Sequence, residues 1–256
     1  MKLTGNTILI TGGSNGIGLA LAKKFVELDN EVIITGRNQA KLDAAVKETP
    51  KLHALRSDAA DSKATVELAR QVVQSYPKLN VLVNNAGVMV YRNLAAHDGD
   101  LGALTTEVDI NIAGPVRLVS ALIDQLKSTK GTIINVSSGL AFVPLTAAPI
   151  YSGTKAFMHA YTITLRQQLR PHDVEVIELM PPAVKTDLVP YPEDPSFKVI
   201  STEELVVATF KALGKGKLEI RPGQSNSLRF MSRVAPGFIQ GQLEKGSKSL
   251  IPTGPH

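Results

Sequence analysis

The sequence predicts an α/β fold: a doubly wound domain whose mainly parallel, seven-stranded sheet carries helices on both faces. Three observations predict it. Short apolar runs rich in Val, Ile and Leu alternate with segments of helical periodicity from Thr7 to about Ile220. The first run opens straight into a glycine-rich turn and a helix. Small residues and isolated polar groups gather just after the apolar runs, where the C-terminal ends of parallel strands would bring them to one edge. No internal repeat or shift of composition divides the 256 residues, so one domain over 1–256 is expected.

Composition narrows the function classes. Apolar residues make up 43% of the chain, enough for a sizeable core and too many for a disordered chain. The formal net charge is +5, but the basic residues are scattered, so a nucleic-acid partner is not expected. A basic protein that binds a polyphosphate fits as well. With no cysteine, disulfides, thiol catalysis and Cys-ligated metal sites are excluded. The start, Met1 to Asn6, carries no leader pattern, and no stretch approaches the roughly 20 apolar residues of a membrane span. A cytoplasmic location is the expectation.

Thr7 to Ile10 reads as the first strand, ending at Thr11-Gly12-Gly13-Ser14-Asn15-Gly16-Ile17-Gly18. The following helix shows one face through Ile17, Ala20, Leu21, Phe25 and Leu28. Glycine permits close approach of a phosphate to the main chain, and a helix N-terminus offers it free N–H groups. Dinucleotide binding is the expected use; a plain turn is the alternative. Glu31 to Thr35 is the second strand, with Gly36-Arg37-Asn38 at its tip. An acid at this tip would accept a ribose 2′-hydroxyl, whereas an arginine accommodates a 2′-phosphate. Arg37 therefore points to NADP(H), with NAD(H) possible and a solvated loop arginine as the alternative.

Leu52 to Asp58 forms a third strand, and Asp58 could meet an adenine amino group. Asp61-Ser62 caps the next helix. Leu79 to Val83 is the fourth strand, delivering Asn84-Asn85-Ala86-Gly87, residues suited to close backbone contact with a cofactor. One long helix is expected from about Leu104 to Leu126, with Asn111 in its middle. Asn is a poor helix former and wants a reason. Either a buried hydrogen bond fixes a kink there, or an Asn carbonyl holds a water near Lys155. Thr132 to Val136 is the fifth strand and presents Ser137-Ser138; Val174 to Leu179 is the sixth, before Met180-Pro181-Pro182-Ala183-Val184-Lys185-Thr186.

Between them lies Ile150-Tyr151-Ser152-Gly153-Thr154-Lys155-Ala156, in a helix that stops near Pro171. Tyr151 and Lys155 are four apart and share a face. A nearby ammonium favours the phenolate and brings the phenol toward the range of general acid–base chemistry. Alone, such a pair is common on solvated helices; its company in the chain gives it weight. Beyond Asp187, a Pro-rich segment at about 187–200 reads as a mobile substrate loop. Thr202 is the expected cap of a helix ending near Leu213, and Lys217 to Ile220 a last strand. A basic amphipathic stretch at about 226–245, broken by Pro236-Gly237, either packs on its own domain or a second subunit, or lies on a membrane surface. The membrane role is the less expected one.

In order and spacing, Thr11 to Gly18, Asn84 to Gly87, Asn111, Ser138, and Tyr151 with Lys155 resemble the short-chain dehydrogenase/reductase family in its compact, Rossmann-like, single-domain form. The resemblance covers Thr7 to about Asp187. It implies an NAD(P)-dependent enzyme acting on CH–OH or C=O groups. Gly12, Gly16, Ile17 and Gly18 would cradle the pyrophosphate, with Ser14 and Asn15 near the adenosine phosphate. Asp58 would meet the adenine and Asn85 a ribose, with Ala86, Gly87 and Pro181 completing the cofactor wall. Val184 and Thr186 would hold the nicotinamide carboxamide. Tyr151 would be the acid–base group, Lys155 would hold ribose hydroxyls and lower the Tyr151 pKa, Ser138 would bind the substrate oxygen, and Asn111 would support a water-linked proton relay. A homodimer or homotetramer is implied as well.

Two departures matter. The family usually has Pro-Gly where this chain has Pro181-Pro182, so a reshaped pocket wall is expected. Many NADP users carry a basic residue in the glycine-rich turn, where this chain has Asn15, which leaves Arg37 as the main determinant. Met89, Leu140, Val143, Leu145, Ile150 and Pro182 are the expected substrate walls, together with Val90 and residues of 188–200. They are mostly apolar with no obvious cation, so a lipophilic ketone or aldehyde is the expected substrate. No metal is suggested by the scattered His53, His97, His159 and His172. The competing readings are an NAD(H)-dependent alcohol dehydrogenase and a cofactor-binding regulatory scaffold.

Overall fold

A computed structural model describes residues 1–96, 100–188 and 198–253. Seven strands form one parallel sheet: β1 (Thr7–Ile10), β2 (Glu31–Gly36), β3 (Leu52–Arg56), β4 (Leu79–Asn84), β5 (Thr132–Val136), β6 (Glu175–Leu179) and β7 (Glu219–Ile220), in the order β3-β2-β1-β4-β5-β6-β7. The chain moves outward from β1 to β3, then returns to lay β4 on the other side of β1. That reversal opens a crevice beyond the β1 and β4 C-termini, the expected ligand site of such a sheet.

The helices are α1 (Gly16–Glu27), α2 (Gln39–Glu48), α3 (Ser62–Ser75), α4 (Leu101–Val108), α5 (Gly114–Ser128), α6 (Pro149–Leu169), α7 (Thr202–Leu213), α8 (Gln224–Val234) and α9 (Pro236–Ser247). Strand alternation sorts the core into two layers. Ile8 and Ile10 face Phe25, Leu42 and Phe210, from α1, α2 and α7. Leu9 faces the opposite layer with Leu68, Leu122 and Leu165, from α3, α5 and α6. Both faces are therefore covered, which is why the strands read as unbroken apolar runs. Phe25 and Phe210 meet edge to face at 4.7 Å and join α1 to α7.

Several expected boundaries are corrected. The single helix at 104–126 is two helices, α4 and α5, joined by a π-helical turn at Asp109–Ala113. The cap of α7 is Ser201 rather than Thr202. Its hydroxyl accepts from the Glu204 N–H, and the Glu204 carboxylate accepts from the Ser201 N–H. β3 stops at Arg56 and leaves Asp58 in a turn. The Pro-rich segment at 189–197 lies outside the described residues.

The basic amphipathic stretch becomes α8 and α9, with Pro236 at the first position of α9. Their inner face packs on the domain: Leu243 joins the Met89–Leu145–Tyr151 cluster, and Gln240 Nε2 donates to the Pro144 carbonyl. Phe230, Val234 and Phe238 stay on the exposed side. No helix among the described residues is long and apolar enough to cross a membrane.

Candidate active site

The glycine-rich turn leaves β1 and enters α1. Gly12 (φ +64°) and Gly16 (φ +54°) occupy the left-handed region. A Cβ on Gly12 would lie 2.8 Å from Ala86 Cα, and one on Gly18 would lie 2.4 Å from the Gly12 carbonyl oxygen. Gly12 thus needs glycine for space as well as for backbone angle, Gly18 for space and Gly16 for its backbone angle. Asn15, at the N-cap of α1, makes no side-chain capping bond, so the first-turn N–H groups are left for an anion.

The loop after β4 is stitched to this turn. Asn85 Nδ2 donates to the carbonyls of Thr11 and Gly12 at 2.9 and 3.0 Å, and Thr11 Oγ1 accepts from the N–H groups of Asn85 and Ala86. The amide nitrogen expected to meet a ribose thus braces the turn.

A cleft of about 500 Å³ runs along this edge. Gly12, Asn15, Gly16, Ile17, Arg37, Asn85, Ala86 and Gly87 line it, together with Ser138, Tyr151, Lys155, Pro181, Val184 and Thr186. Ser14, Gly18 and Asp58 are not among the lining residues. Ser14 packs toward Gly36, and Gly18 against the Gly12 carbonyl. Asp58 Oδ1 accepts from the Ala60 N–H, closing its own turn. Arg56, not singled out from the sequence, stands beside Arg37 and donates Nε to the Arg37 carbonyl at 3.2 Å. Its only signal is position: β3 is in register with β2, pairing Arg56 with Gly36.

Tyr151 and Lys155 lie one turn apart on α6, as their spacing requires, with the Lys155 ammonium 5.4 Å from the Tyr151 ring centroid. Lys155 Nζ donates to the Val136 carbonyl at 2.9 Å. Burial pushes the Lys155 ammonium down to about 8, against the opposing pull of the Glu178 carboxylate. Ser138 Oγ accepts from the Leu140 N–H at 3.1 Å, which fixes the hydroxyl at the cleft wall.

Asn111 makes the buried hydrogen bonds that are one of its two expected reasons. Its Oδ1 accepts from the Val88 N–H, and its Nδ2 donates to the Val88 carbonyl and to Thr154 Oγ1, all within 3.0 Å. The π-helical turn aims this side chain at the loop after β4, and its side-chain carbonyl is committed to Val88.

A second cavity, about 320 Å³ and apolar-walled, adjoins the cleft at Met89, Ser138, Tyr151, Pro181 and Pro182. Of the expected substrate walls, Met89, Leu140, Leu145 and Pro182 line it. Val143 and Ile150 do not: Val143 is buried at 2% exposure, and Ile150 heads α6 half-buried. Val90 lines the cleft instead.

The sequence reading missed the far wall, Leu228, Ile239 and Leu243 of α8 and α9, and a polar rim of Gln224, Gln242 and Lys198. The expectation of no cation is corrected by Lys198. Pro182 stands in that wall, its Cγ 3.3 Å from where a Gly223 Cβ would be, at a left-handed Gly223 (φ +54°) before α8. Among the described residues, no cluster of three or more His, Cys, Asp or Glu side chains could hold a metal ion.

A phosphate-sized cradle at a helix N-terminus, feeding a Ser–Tyr–Lys constellation at the strand ends, defines a dinucleotide-dependent oxidoreductase of the Rossmann-like class. The sequence matches the short chain dehydrogenase family over residues 6–194, and the chain belongs to that family of NAD(P)-dependent oxidoreductases acting on CH–OH and C=O groups. It is 42% identical to the uncharacterized oxidoreductase DltE of Bacillus subtilis, over 91% of this chain and 94% of that protein. It is 34% identical to a serine 3-dehydrogenase of Agrobacterium fabrum, over 71% and 73% of the two chains. A short chain dehydrogenase from Burkholderia cenocepacia, solved in complex with NADP, superposes with a TM-score of 0.81 at 26% identity, over 95% of this chain and 99% of that one.

Proposed function

We propose that this chain, as one domain over 1–256, is an NADP(H)-preferring oxidoreductase that passes a hydride between the nicotinamide and a lipophilic ketone or aldehyde, or the corresponding alcohol. The observation that carries this reading is the junction of the two cavities at Ser138 and Tyr151. A carbonyl reaching that junction from the apolar cavity would meet both hydroxyls. The polar rim at Gln224, Gln242 and Lys198 suits a substrate with a polar or anionic group remote from the carbonyl.

The glycine cradle fits a pyrophosphate, since Gly12 and Gly16 bring bare main chain to the cleft beside the uncapped N-terminus of α1. Arg37, with Arg56 beside it and no acid at the β2 tip, favours a 2′-phosphate, and the NADP bound by the Burkholderia cenocepacia relative supports the preference. When bound, the nicotinamide supplies or accepts the hydride. Tyr151 gives its phenolic proton to the carbonyl oxygen in reduction and takes it back in oxidation. The Lys155 ammonium favours the phenolate left behind and would hold ribose hydroxyls. Ser138 stabilises the developing alkoxide, a role worth about 3 kcal/mol for one preorganised donor. Asn111 acts through Val88, holding the strand-end loop against which the cofactor would lie. Val184 and Thr186 would face the carboxamide.

A cytoplasmic homodimer or homotetramer completes the reading. Its support is the family and a half-exposed Phe157 stacked on Tyr161 along the outer face of α6. Oxidation of NADPH and NADH against a panel of ketones and aldehydes, with Tyr151→Phe in parallel, tests the proposal. NADPH-dependent turnover lost in Tyr151→Phe is the expected result. Turnover confined to small hydrophilic substrates, or preserved in the variant, would overturn it.

A further inference from the structure

Lys155 is one of three polar residues on a single stripe of α6. Tyr151, Lys155 and His159 follow at four-residue steps, so one helix face presents all three. The family chemistry uses the first two. The third reaches a carboxylate that the mechanism leaves unused: His159 Nδ1 lies 2.8 Å from Glu178 Oε2. Glu178 sits on β6, in register with Asn135 of β5, and is wholly buried. Its other oxygen, Oε1, accepts a short hydrogen bond from Ser137 Oγ. Ser137 follows Val136, whose carbonyl holds Lys155 Nζ, and Ser137 itself lines the cofactor cleft.

A buried carboxylate needs a counter-charge or a full set of donors. The neighbouring strand shows what an ordinary answer looks like. Glu219 of β7, the register partner of Glu178, is matched by Arg166, Arg221 and Arg229. Among the described residues no arginine pairs with Glu178. It meets His159 of α6 and the Ser137 hydroxyl after β5, one residue beyond the Val136 carbonyl that holds Lys155 Nζ. Beyond them, His159 meets Phe142 edge to face, and Arg229 of α8 lies over that ring. Besides His159, which pairs with Glu178 as an ion only when protonated, the buried cation that feels this carboxylate is Lys155.

We propose that Glu178, gripped by Ser137 and His159, is a positioning residue whose carboxylate keeps Lys155 an ammonium in the buried floor of the cleft. As a carboxylate, Glu178 can only accept hydrogen bonds, so His159 must carry its proton on Nδ1 to serve it. The two donors hold the carboxylate in place, and its charge opposes the desolvation of Lys155. Loss of either donor frees the carboxylate to turn away and weakens the support.

The inference rests on the reading of Lys155 as the partner of Tyr151, but its test needs no substrate. The full chain would be labelled with ¹³C at lysine Cε, and the Lys155 resonance assigned by its absence in Lys155→Arg. Its titration would then be followed by NMR in the wild type and in Glu178→Gln, a variant of nearly equal shape. The midpoint should fall by about one pH unit in Glu178→Gln. A change of less than about half a unit would overturn the proposal, whatever the substrate panel shows.

Two further variants keep the test open if Glu178→Gln does not fold. His159→Leu removes the donor and should lower the midpoint; His159→Gln keeps an amide donor and should restore it. Equal midpoints in these two would also overturn the proposal. A merely structural role would lower thermal stability in His159→Leu without moving the lysine titration.

Discussion

The side-chain amide of Asn85 bridges the carbonyl oxygens of Thr11 and Gly12, 2.9 and 3.0 Å away, and so ties the end of β4 to the turn after β1. The two strands are neighbours in the sheet but far apart in sequence. Asn85→Ala would leave two carbonyls without this donor, at a cost of about 1–3 kcal/mol. If the freed turn is the proposed pyrophosphate cradle, NADPH affinity should fall by about tenfold or more, along with the melting temperature. Fluorescence titration and thermal unfolding check both. Unchanged affinity would mean that the turn keeps its shape without the bridge.

The burial of Lys155 predicts an alkaline limit to activity. In the folded protein the ammonium is held down to about 8 by desolvation, below its ordinary 10.5. The proposed reaction through Tyr151 needs that cation, so kcat/KM for NADPH should fall above pH about 8, approaching tenfold per pH unit. Stability runs the other way. Between the folded and ordinary values the unfolded chain binds the extra proton, so raising the pH through this window stabilises the fold. A pH-rate profile and denaturant unfolding of the protein without cofactor, both at pH 7 to 10, read the two opposite slopes.

On the proposed reading, cofactor choice turns on the edge of the sheet where Arg37 lines the cleft and Arg56 bonds its carbonyl. Arg37→Ala should weaken NADPH binding by about tenfold to a hundredfold and leave NADH binding within about twofold, the signature of a lost phosphate contact. Arg56→Ala should give a smaller loss of the same kind. Equal effects on both cofactors would place Arg37 in the general fold of the loop, away from a 2′-phosphate.

Pro182 separates cofactor from substrate effects. It packs on Gly223 at the start of α8 and lines both cavities. Pro182→Gly should free this wall, raising KM for bulky apolar ketones several-fold while the NADPH dissociation constant moves less than about twofold. Steady-state kinetics over a size series of ketones would show it.

How far the sequence reveals this molecule depends on what each feature needs. The strands are legible because a sheet covered on both faces demands unbroken apolar runs such as Thr7 to Ile10. The catalytic spacing of Tyr151 and Lys155 is legible because one helix turn fixes it. The far wall of the substrate cavity is not, because a helical stripe such as Leu228, Ile239 and Leu243 does not say which surface it will cover. The π-helical turn at Asn111 is hidden for a related reason: the partner of its side chain is Val88, which tertiary folding brings to it. Glu178 reads in sequence as the polar member of an apolar strand, and only the packing of α6 on β6 shows His159 reaching it.

The entry to α7 offers a test of local structure apart from chemistry. Ser201 and Glu204 satisfy each other's backbone N–H groups at 3.1 and 2.8 Å, and Ile200, just before them, is bridged to Val184 of the cleft wall. Ser201→Ala should cost about 1 kcal/mol and lower the melting temperature by about 2–4 °C. Glu204→Ala should cost a comparable amount. The two bonds close one reciprocal motif, so the double variant should lose less than the sum of the singles. Thermal unfolding of the four proteins completes the cycle. Strict additivity would mean that the two caps act independently, and a fall in NADPH affinity in Ser201→Ala would show the strain passing through Ile200 to Val184.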